Sequence, residues 1–470
     1  MKQAIGLSRR HFLKNSTALA GLSLAGPTAF SDSVGATTSP ASNRIGIAAV
    51  SANFERETLI RPFGFKGGYM TEIWQTMALL ESARGTRKIG LCTQNVLWSD
   101  ARVFADHSES GGNALMFALT ERALQLAVGR SFQTPVDLLD GLLDEVYEYG
   151  KDITGHVDLR KTFALNALVG LDNAAWLLYA QENGITDFDD LIPEAYKPSL
   201  SYHHKQVASI PLMAYSIPIE EITEAVDQGY FFMKIKIGQP GTQQEMLEKD
   251  KARLSAIHKA IGHVRTNHSQ DGKLPYYFDA NGRYEKKETL LRLLDHAKKI
   301  GALDQIAIIE EPFPEELEVT VDDLGVRIAA DESAHTDEDA IKRIDMGYQA
   351  IALKAIAKTL SMTMKIAQAA HERNVPCFCA DLTVNPILVE WNKAVAARLA
   401  PFPGLGLGLL ETNGHQNYKG WERMVSYLPY AGASWSKTVD GVFNLNDDYY
   451  EKSGGILAPS SHYEAMFKPH

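Results

Sequence analysis

Three short apolar runs between residues 276 and 333 each end in a carboxylate. Tyr276-Tyr277-Phe278 leads to Asp279 and then Ala280-Asn281-Gly282. Ile306-Ala307-Ile308-Ile309 leads to Glu310, followed by Glu311 and Pro312. Val326-Arg327-Ile328-Ala329-Ala330 leads to Asp331, followed by Glu332 and Ser333. Short apolar runs bounded by Gly and Pro predict buried strands. Residues 286–300, between the first two runs, set Leu290, Leu291, Leu294 and Ala297 at helical spacing. Strand, helix and strand in series predict a parallel sheet. In a parallel barrel the strand C-termini share one rim, where chemistry collects. Asp279, Glu310 and Asp331 should therefore converge. Three bare carboxylates repel one another, so a cation should sit among them, and all-oxygen ligation favours a hard ion, Mg2+.

The same rhythm runs from residue 210 to 411. Further strands are predicted at 210–215, 231–237, 350–354, 375–379 and 405–410, which makes eight in all. Helices are predicted at 220–228, 246–261, 361–373 and 386–399, which together give a (β/α) barrel. Strand two ends in Lys234-Ile235-Lys236, and residues two apart on a strand share a face, here the interior. Two lysines inside a barrel are costly unless paired or used. Burial and neighbouring positive charge lower a lysine pKa and bring a neutral base within reach. Strand six ends in Lys354, and strands two and six lie opposite each other in an eight-stranded barrel. Lys236 and Lys354 would then flank a central metal from two sides. That arrangement suits proton abstraction beside a carboxylate, with either lysine moving the proton.

The net charge of -11 has no offsetting basic cluster, which excludes nucleic acid as a partner. Three cysteines, Cys92, Cys377 and Cys379, are too few for a disulfide framework, and the Cys-x-Cys pair reads as packing. At the N-terminus, Ser8-Arg9-Arg10-His11-Phe12-Leu13-Lys14 precedes a mildly apolar run at 18–29. This has the form of a twin-arginine export signal over residues 1–36, with Val34-Gly35-Ala36 as the cleavage site. The run is too short and too polar for a permanent membrane anchor. The expected location is periplasmic or otherwise exported, with the translocation machinery as a transient partner. Residues 61–69 and 95–113 read as loops able to form part of a lid, the second carrying Trp98, Phe104 and His107. Helices are expected at 135–149 and 164–181, the latter apolar nearly all round and so deeply packed.

Lys-x-Lys, Asp-x-Asn, Glu-x-Pro and Asp-Glu-Ser at successive strand ends, then a lysine ending strand six, resemble the enolase superfamily. Within it they resemble the muconate-lactonizing and dipeptide-epimerase-like subgroup. The resemblance covers nearly the whole chain after residue 36. It implies an N-terminal α+β capping domain over residues 45–205 and a modified (β/α)7β barrel over 206–430. A C-terminal segment, 431–470, would return to the cap. It also implies that Asp279, Glu310 and Asp331 bind Mg2+ and that Lys236 and Lys354 are the two acid/bases. Lys234 would polarise the substrate carboxylate or tune Lys236. Asn281 and Glu332 would support these groups, and Asp381 and Glu411, at the ends of strands seven and eight, would face the substrate. Members of the family are usually oligomers, so a homo-oligomer is expected.

The chain departs from that pattern in places. Strand seven ends in Phe378-Cys379-Ala380-Asp381 where the mandelate-racemase subgroup has a histidine. Glu411-Thr412-Asn413 stands where dipeptide epimerases carry Asp-x-Asp, which argues against a substrate ammonium. Lys358-Thr359-Leu360-Ser361 replaces a lysine-threonine-glycine-glycine run, and Glu311 stands where glutamine is common. The expected function is a racemase or epimerase acting α to the carboxylate of a small molecule. The alternatives are a dehydratase or cycloisomerase, with Glu411, His415 or Tyr418 as an acid, and a binding protein on a degenerate barrel.

Overall fold

The computed structural model describes residues 44–65 and 68–468. The expected export signal therefore lies outside the described residues. The chain opens with strands β1 (Ile45–Phe65), β2 (Gly68–Ser82) and β3 (Arg87–Gln94), and a short β4 (Ser131–Phe132). They form an antiparallel sheet in the order β3-β2-β1-β4. Of residues 61–69, expected as a loop, the described ones belong to β1 and β2, where Phe63 pairs with Met70 and Gly64 with Tyr69. Residues 95–113, also expected as a loop, are helical. Asn95 caps Val96–Ser99 by accepting the Trp98 N–H, and Asp100 caps Ala101–Ala127, which kinks at Ser108. Gly111 and Gly112 had suggested a loop. Gly112 instead lets the helix approach Val96, where a Cβ would come within 2.9 Å of the Val96 side chain.

Two longer helices back this sheet. Pro135–Thr154 starts from a capping box between Thr134 and Asp137 and ends at Gly155 in the left-handed region. Lys161–Asn183 crosses the sheet so closely that a Cβ on Gly90 would lie 2.0 Å from the Gly170 carbonyl. It has the length and apolarity of a membrane span, but 94% of its apolar window is buried inside the protein. Those apolar side chains are part of the cap's core.

The second sheet is built from β5 (Gln206–Ile210), β6 (Leu212–Met213), β7 (Lys234–Lys236), β8 (Tyr276–Asp279), β9 (Ile306–Glu310), β10 (Ile328–Ala330), β11 (Ala350–Leu353), β12 (Cys377–Cys379) and β13 (Gly408–Glu411). Neighbours from β6 to β13 pair in parallel. The curled sheet closes through β5 and β6, which are one strand interrupted at Pro211. β5 pairs with β13 and β6 with β7. Pro211 has no N–H for the ladder, and its carbonyl accepts the Lys234 N–H at 3.0 Å. Strand one thus begins four residues earlier than its apolar run suggested. The fold is a TIM-barrel-like α/β domain with an N-terminal α+β domain.

Helices Ile219–Asp227, Gln243–Ile261, Lys287–Lys299, Leu360–His371 and Pro386–Ala396 lie where the sequence places them within a few residues. Asp337–Asp345, capped by Thr336 and Asp339, was not anticipated. Between β9 and β10 the described residues form no helix, a stretch that Pro312 and Pro314 open. Beyond β13, β14 (Thr438–Val439) and β15 (Val442–Asn444) form a hairpin, and β15 adds antiparallel to β5. The chain then reaches β1: Asn53 Nδ2 donates to the Met466 carbonyl at 3.0 Å, and His462 Nε2 lies 3.0 Å from Glu55 Oε2.

Candidate active site

Strand register brings the carboxylates and lysines to one level. Lys236 pairs with Asp279, and Asp279 with Glu310. Asp331 follows β10 directly, Lys354 follows β11, and Glu411 ends β13. Lys234 and Lys236 both face inward, as alternation on a strand requires.

Lys234 is at the centre. Its Nζ lies 2.9 Å from Asp279 Oδ2, 2.9 Å from Glu310 Oε1 and 3.2 Å from Glu411 Oε2. Lys236 Nζ donates to the same Asp279 oxygen at 2.6 Å and to Asn281 Oδ1 at 2.5 Å. Lys354 Nζ donates to Asp331 Oδ2 at 2.5 Å from the other side of the barrel. Each candidate acid/base carries a ring from the cap: Phe65 is 5.3 Å from Lys236 Nζ, and Trp98 is 4.4 Å from Lys354 Nζ. Asn281 Nδ2 donates to Glu332 Oε1 at 3.0 Å, and Tyr277 donates its hydroxyl to Glu310.

The sequence places Asp279 with Glu310 and Asp331 as a triad. The structure gathers Asp279 and Glu310 on Lys234 and sets Glu332 beside Glu310 and Asp331. Glu310, Asp331 and Glu332 each offer an oxygen within 4.8 Å of the others, all three buried. Asp279 stands beside them, with Oδ2 held by two ammonium groups and Oδ1 accepting the Asn281 N–H at 2.9 Å. Three buried carboxylate oxygens with no nitrogen or sulfur donor suit a hard divalent cation such as Mg2+.

The electrostatics follow from burial and neighbours. Burial pushes the Glu310 carboxyl up to about 8, with repulsion from Asp331 adding and Lys234 opposing. Burial acts on Asp279 too, but Lys234 and Lys236 outweigh it and hold its carboxyl at about 2. Asp331 is held low in the same way by Lys354 and Lys358. The sequence reading expected burial and like charge to lower the site lysines. Burial does act downward on Lys234 and Lys354, but the carboxylates around them outweigh it and raise both. Among these, only Lys358 is lowered, by burial that Asp331 offsets in part. Lys358 was not singled out as a site residue. A second lysine four residues beyond Lys354 was the available signal.

A small cavity of about 40 Å³ lies between cap and barrel, lined by Lys234, Lys236, Asp279, Asn281, Asp331, Glu332, Lys354, Asp381 and Glu411. Glu310 lies below this lining and reaches it through Lys234. The cap contributes Phe63, Phe65, Met70, Asn95 and Trp98. The two segments read as loops thus do reach the cavity, one from a hairpin and the other from a helix start. Asp381 accepts the N–H groups of Leu382, Val384 and Asn413, and Glu411 accepts from Lys234, the Asp381 N–H and Asn413. His415 and Tyr418, considered as acids, do not line the cavity. His415 packs near Trp421, and the Tyr418 hydroxyl donates to the Thr383 carbonyl.

Residues 219–406 match the family described as enolase C-terminal domain-like. A mandelate racemase/muconate lactonizing protein from Herpetosiphon aurantiacus aligns with a TM-score of 0.57 at 17% identity, covering 86% of this chain and 96% of that one. A dipeptide epimerase from Enterococcus faecalis V583, complexed with Mg and L-Leu-L-Tyr, gives 0.55 at 17%, covering 85% and 97%. L-Talarate dehydratase from Polaromonas sp. JS666, complexed with Mg and L-glucarate, gives 0.56 at 18%, covering 85% and 92%. No curated protein matches the chain. The matched segment is similar to that family over residues 219–406, and the fold, a TIM-barrel-like domain with an N-terminal α+β domain, is the one these structures share.

Proposed function

We propose that the chain is an Mg2+-dependent racemase or epimerase that moves a proton on and off the carbon α to a carboxylate. The observation that carries this reading is the pair of buried lysines, Lys236 and Lys354, at the ends of β7 and β11 on opposite sides of the barrel. Each already has a carboxylate partner. Mg2+ held among Asp279, Glu310, Asp331 and Glu332 would supply Lewis acidity at the substrate carboxylate. Lys234 would add a fixed positive charge on the same side. One lysine, as the free amine, takes the α-proton on Nζ as the C–H bond breaks, and the other, as the ammonium, gives a proton to the opposite face as the new C–H bond forms, the two exchanging charge states. No oxidant or reductant is needed. The Phe65 and Trp98 rings lie over the two Nζ atoms, and Phe63, Met70, Leu212 and Leu382 offer an apolar wall. The substrate is therefore a carboxylate with an apolar α-substituent. The oxygens of Asp381 and Glu411 are already engaged, which disfavours a dipeptide ammonium there.

Deuterium wash-in tests the reading. Both enantiomers of an active carboxylate should gain solvent deuterium at the α-carbon. In Lys354→Ala one enantiomer should keep exchanging with retained configuration while epimerisation stops, and Lys236→Ala should show the mirror result. Loss of exchange on both faces in both variants, with Mg2+ still bound, would overturn the two-base mechanism. Removing a positioned acid/base costs about 10²–10⁴-fold, so one-sided exchange should stand clear of background.

A second reading, elimination, is favoured by Asp381, whose cavity-lining carboxyl is pushed up to about 7 by burial and then by Glu411. A protonated acid there could assist a leaving group. A 2-keto product would mark that chemistry. We also propose export by the twin-arginine route, which the run from Ser8 to Lys14 supports.

A further inference from the structure

Lys358 has no part in the proton transfer drawn above, yet its ammonium is completely buried at the edge of the carboxylate cluster. A charge taken out of water persists only where its donors are used. Its three donors meet three acceptors: the Asp331 carbonyl at 2.6 Å, the Ala334 carbonyl at 2.9 Å and Asp331 Oδ1 at 3.5 Å. Lys354 takes the remaining Asp331 oxygen. The carboxylate is thus held at both oxygens, and the loop carrying Asp331 and Glu332 is held through its backbone at both ends.

The segment that delivers Lys358 is itself constrained. The Lys358 N–H donates to the Lys354 carbonyl at 2.7 Å, so both lysines spring from one turn. The next residue, Thr359, has φ 72° and ψ 154°, a region nearly reserved for glycine. A β-branched residue stays there only when its surroundings over-determine it. Thr359 caps the following helix by accepting the Met362 N–H at 3.1 Å. From the cap, Asp172 accepts the Ser361 N–H at 3.1 Å and the Ser361 hydroxyl at 2.5 Å. Trp176 Nε1 donates to that same hydroxyl at 3.0 Å. Asp172 is fully buried and lies on Lys161–Asn183, the helix at the centre of the cap.

We propose that Lys358 is the positioning residue of the metal centre. It fixes the loop from Asp331 to Ala334 so that Asp331 and Glu332 present their oxygens together with Glu310. Asp172 fixes the strained segment that aims it. The cap is therefore joined to the cation-binding loop through Ser361, Thr359 and Lys358. This rests on the reading that the cluster binds Mg2+. Simple charge balance makes the opposite forecast, since deleting an ammonium beside a cation site should tighten cation binding.

The test is calorimetric titration of Mg2+ alone into the metal-stripped full chain, with a melting curve for each protein. Lys358→Met should weaken Mg2+ binding by about 10–100-fold, the usual cost of losing a partner behind a metal ligand. Asp172→Ala should weaken it about threefold or more although it touches no ligand. Lys358→Gln, which keeps one donor for a carbonyl, should fall between wild type and methionine. Unchanged or tighter Mg2+ binding in Lys358→Met, with only a lowered melting temperature, would make Lys358 merely structural. If neither Lys358 variant folds, an unchanged affinity in Asp172→Ala overturns the proposal. A wild-type protein that binds no Mg2+ sinks the metal reading and this one together. A wild type that binds while every variant matches it sinks this one alone.

Discussion

Replacing Lys234 by methionine should destabilise the protein by an amount that depends on pH. The Lys234 side chain is 4% exposed, and its partners Asp279, Glu310 and Glu411 are 0%, 0% and 3% exposed. Methionine keeps most of the stem but leaves three buried carboxylates short of their shared counter-charge. Removing one partner of a buried ion pair costs about 3–5 kcal/mol. Without the ammonium, the three folded carboxyls should titrate above their unfolded values. The folded variant then binds protons that the unfolded chain releases, so its stability is greatest in acid and falls as pH rises through the raised values. In the wild type, the carboxylates raise Lys234 against the downward pull of burial. Its contribution is thus fully present below the unfolded lysine value and is lost only above it. The gap between the two proteins should be about 3–5 kcal/mol at pH 8 and shrink toward pH 5. Mg2+ should narrow it at pH 8, since a ligand at about 100 times its Kd stabilises by about 2.7 kcal/mol and the variant has no competing ammonium. Urea unfolding followed by tryptophan fluorescence, at both pH values with and without Mg2+, measures this. A gap under about 1 kcal/mol at pH 8, or one that widens on acidification, would refute the central role given to Lys234.

The metal-ligand set is open to direct comparison: Asp279→Asn, Glu310→Gln and Asp331→Asn should each weaken Mg2+ binding by calorimetry, and an unchanged affinity in Asp279→Asn beside a loss in Glu332→Gln would give the third ligand to Glu332 instead. If elimination is the reaction, its rate should fall as pH rises through about 7 while Asp381 loses its proton, and Asp381→Asn should erase that limb of the pH–rate profile. Replacing Arg9 and Arg10 together by lysine should leave the protein in the cytoplasm, and an unchanged exported fraction would show the address was misread.

The barrel was legible because its signal is local. Each of its middle strands is an apolar run closed by a charged residue, and β8, β9 and β11 lie within a residue or so of their runs. The convergence of Lys234, Lys236, Lys354 and the carboxylates followed from strand parity alone. What failed to show depends on contacts remote in sequence. Phe63 and Gly64 read as loop because the stretch is rich in glycine, and their pairing with Met70 and Tyr69 has no signature in it. Spacing gave no sign that Lys234 and Lys236 would share one Asp279 oxygen or that Glu332 would stand within reach of Glu310 and Asp331. Lys358 was passed over for the same reason, since its three acceptors lie more than twenty residues upstream.

The break at Pro211 bears on how the chain must assemble. The seam that closes the barrel joins Val207 to Gly408 and Ile210 to Glu411, so it cannot form until nearly the whole barrel has been synthesised. Pairings this distant in sequence form slowly, because the closure entropy is lost before the contact rewards it. Until then β5 and β12 each present an unpaired edge, a template for aggregation. Lys234 also lacks one of its three carboxylates, because Glu411 arrives with the last strand. A nascent chain halted short of β13 should hold an incomplete charge cluster and two sticky edges, and pulse-labelled hydrogen exchange should show β5 gaining protection late, together with β13.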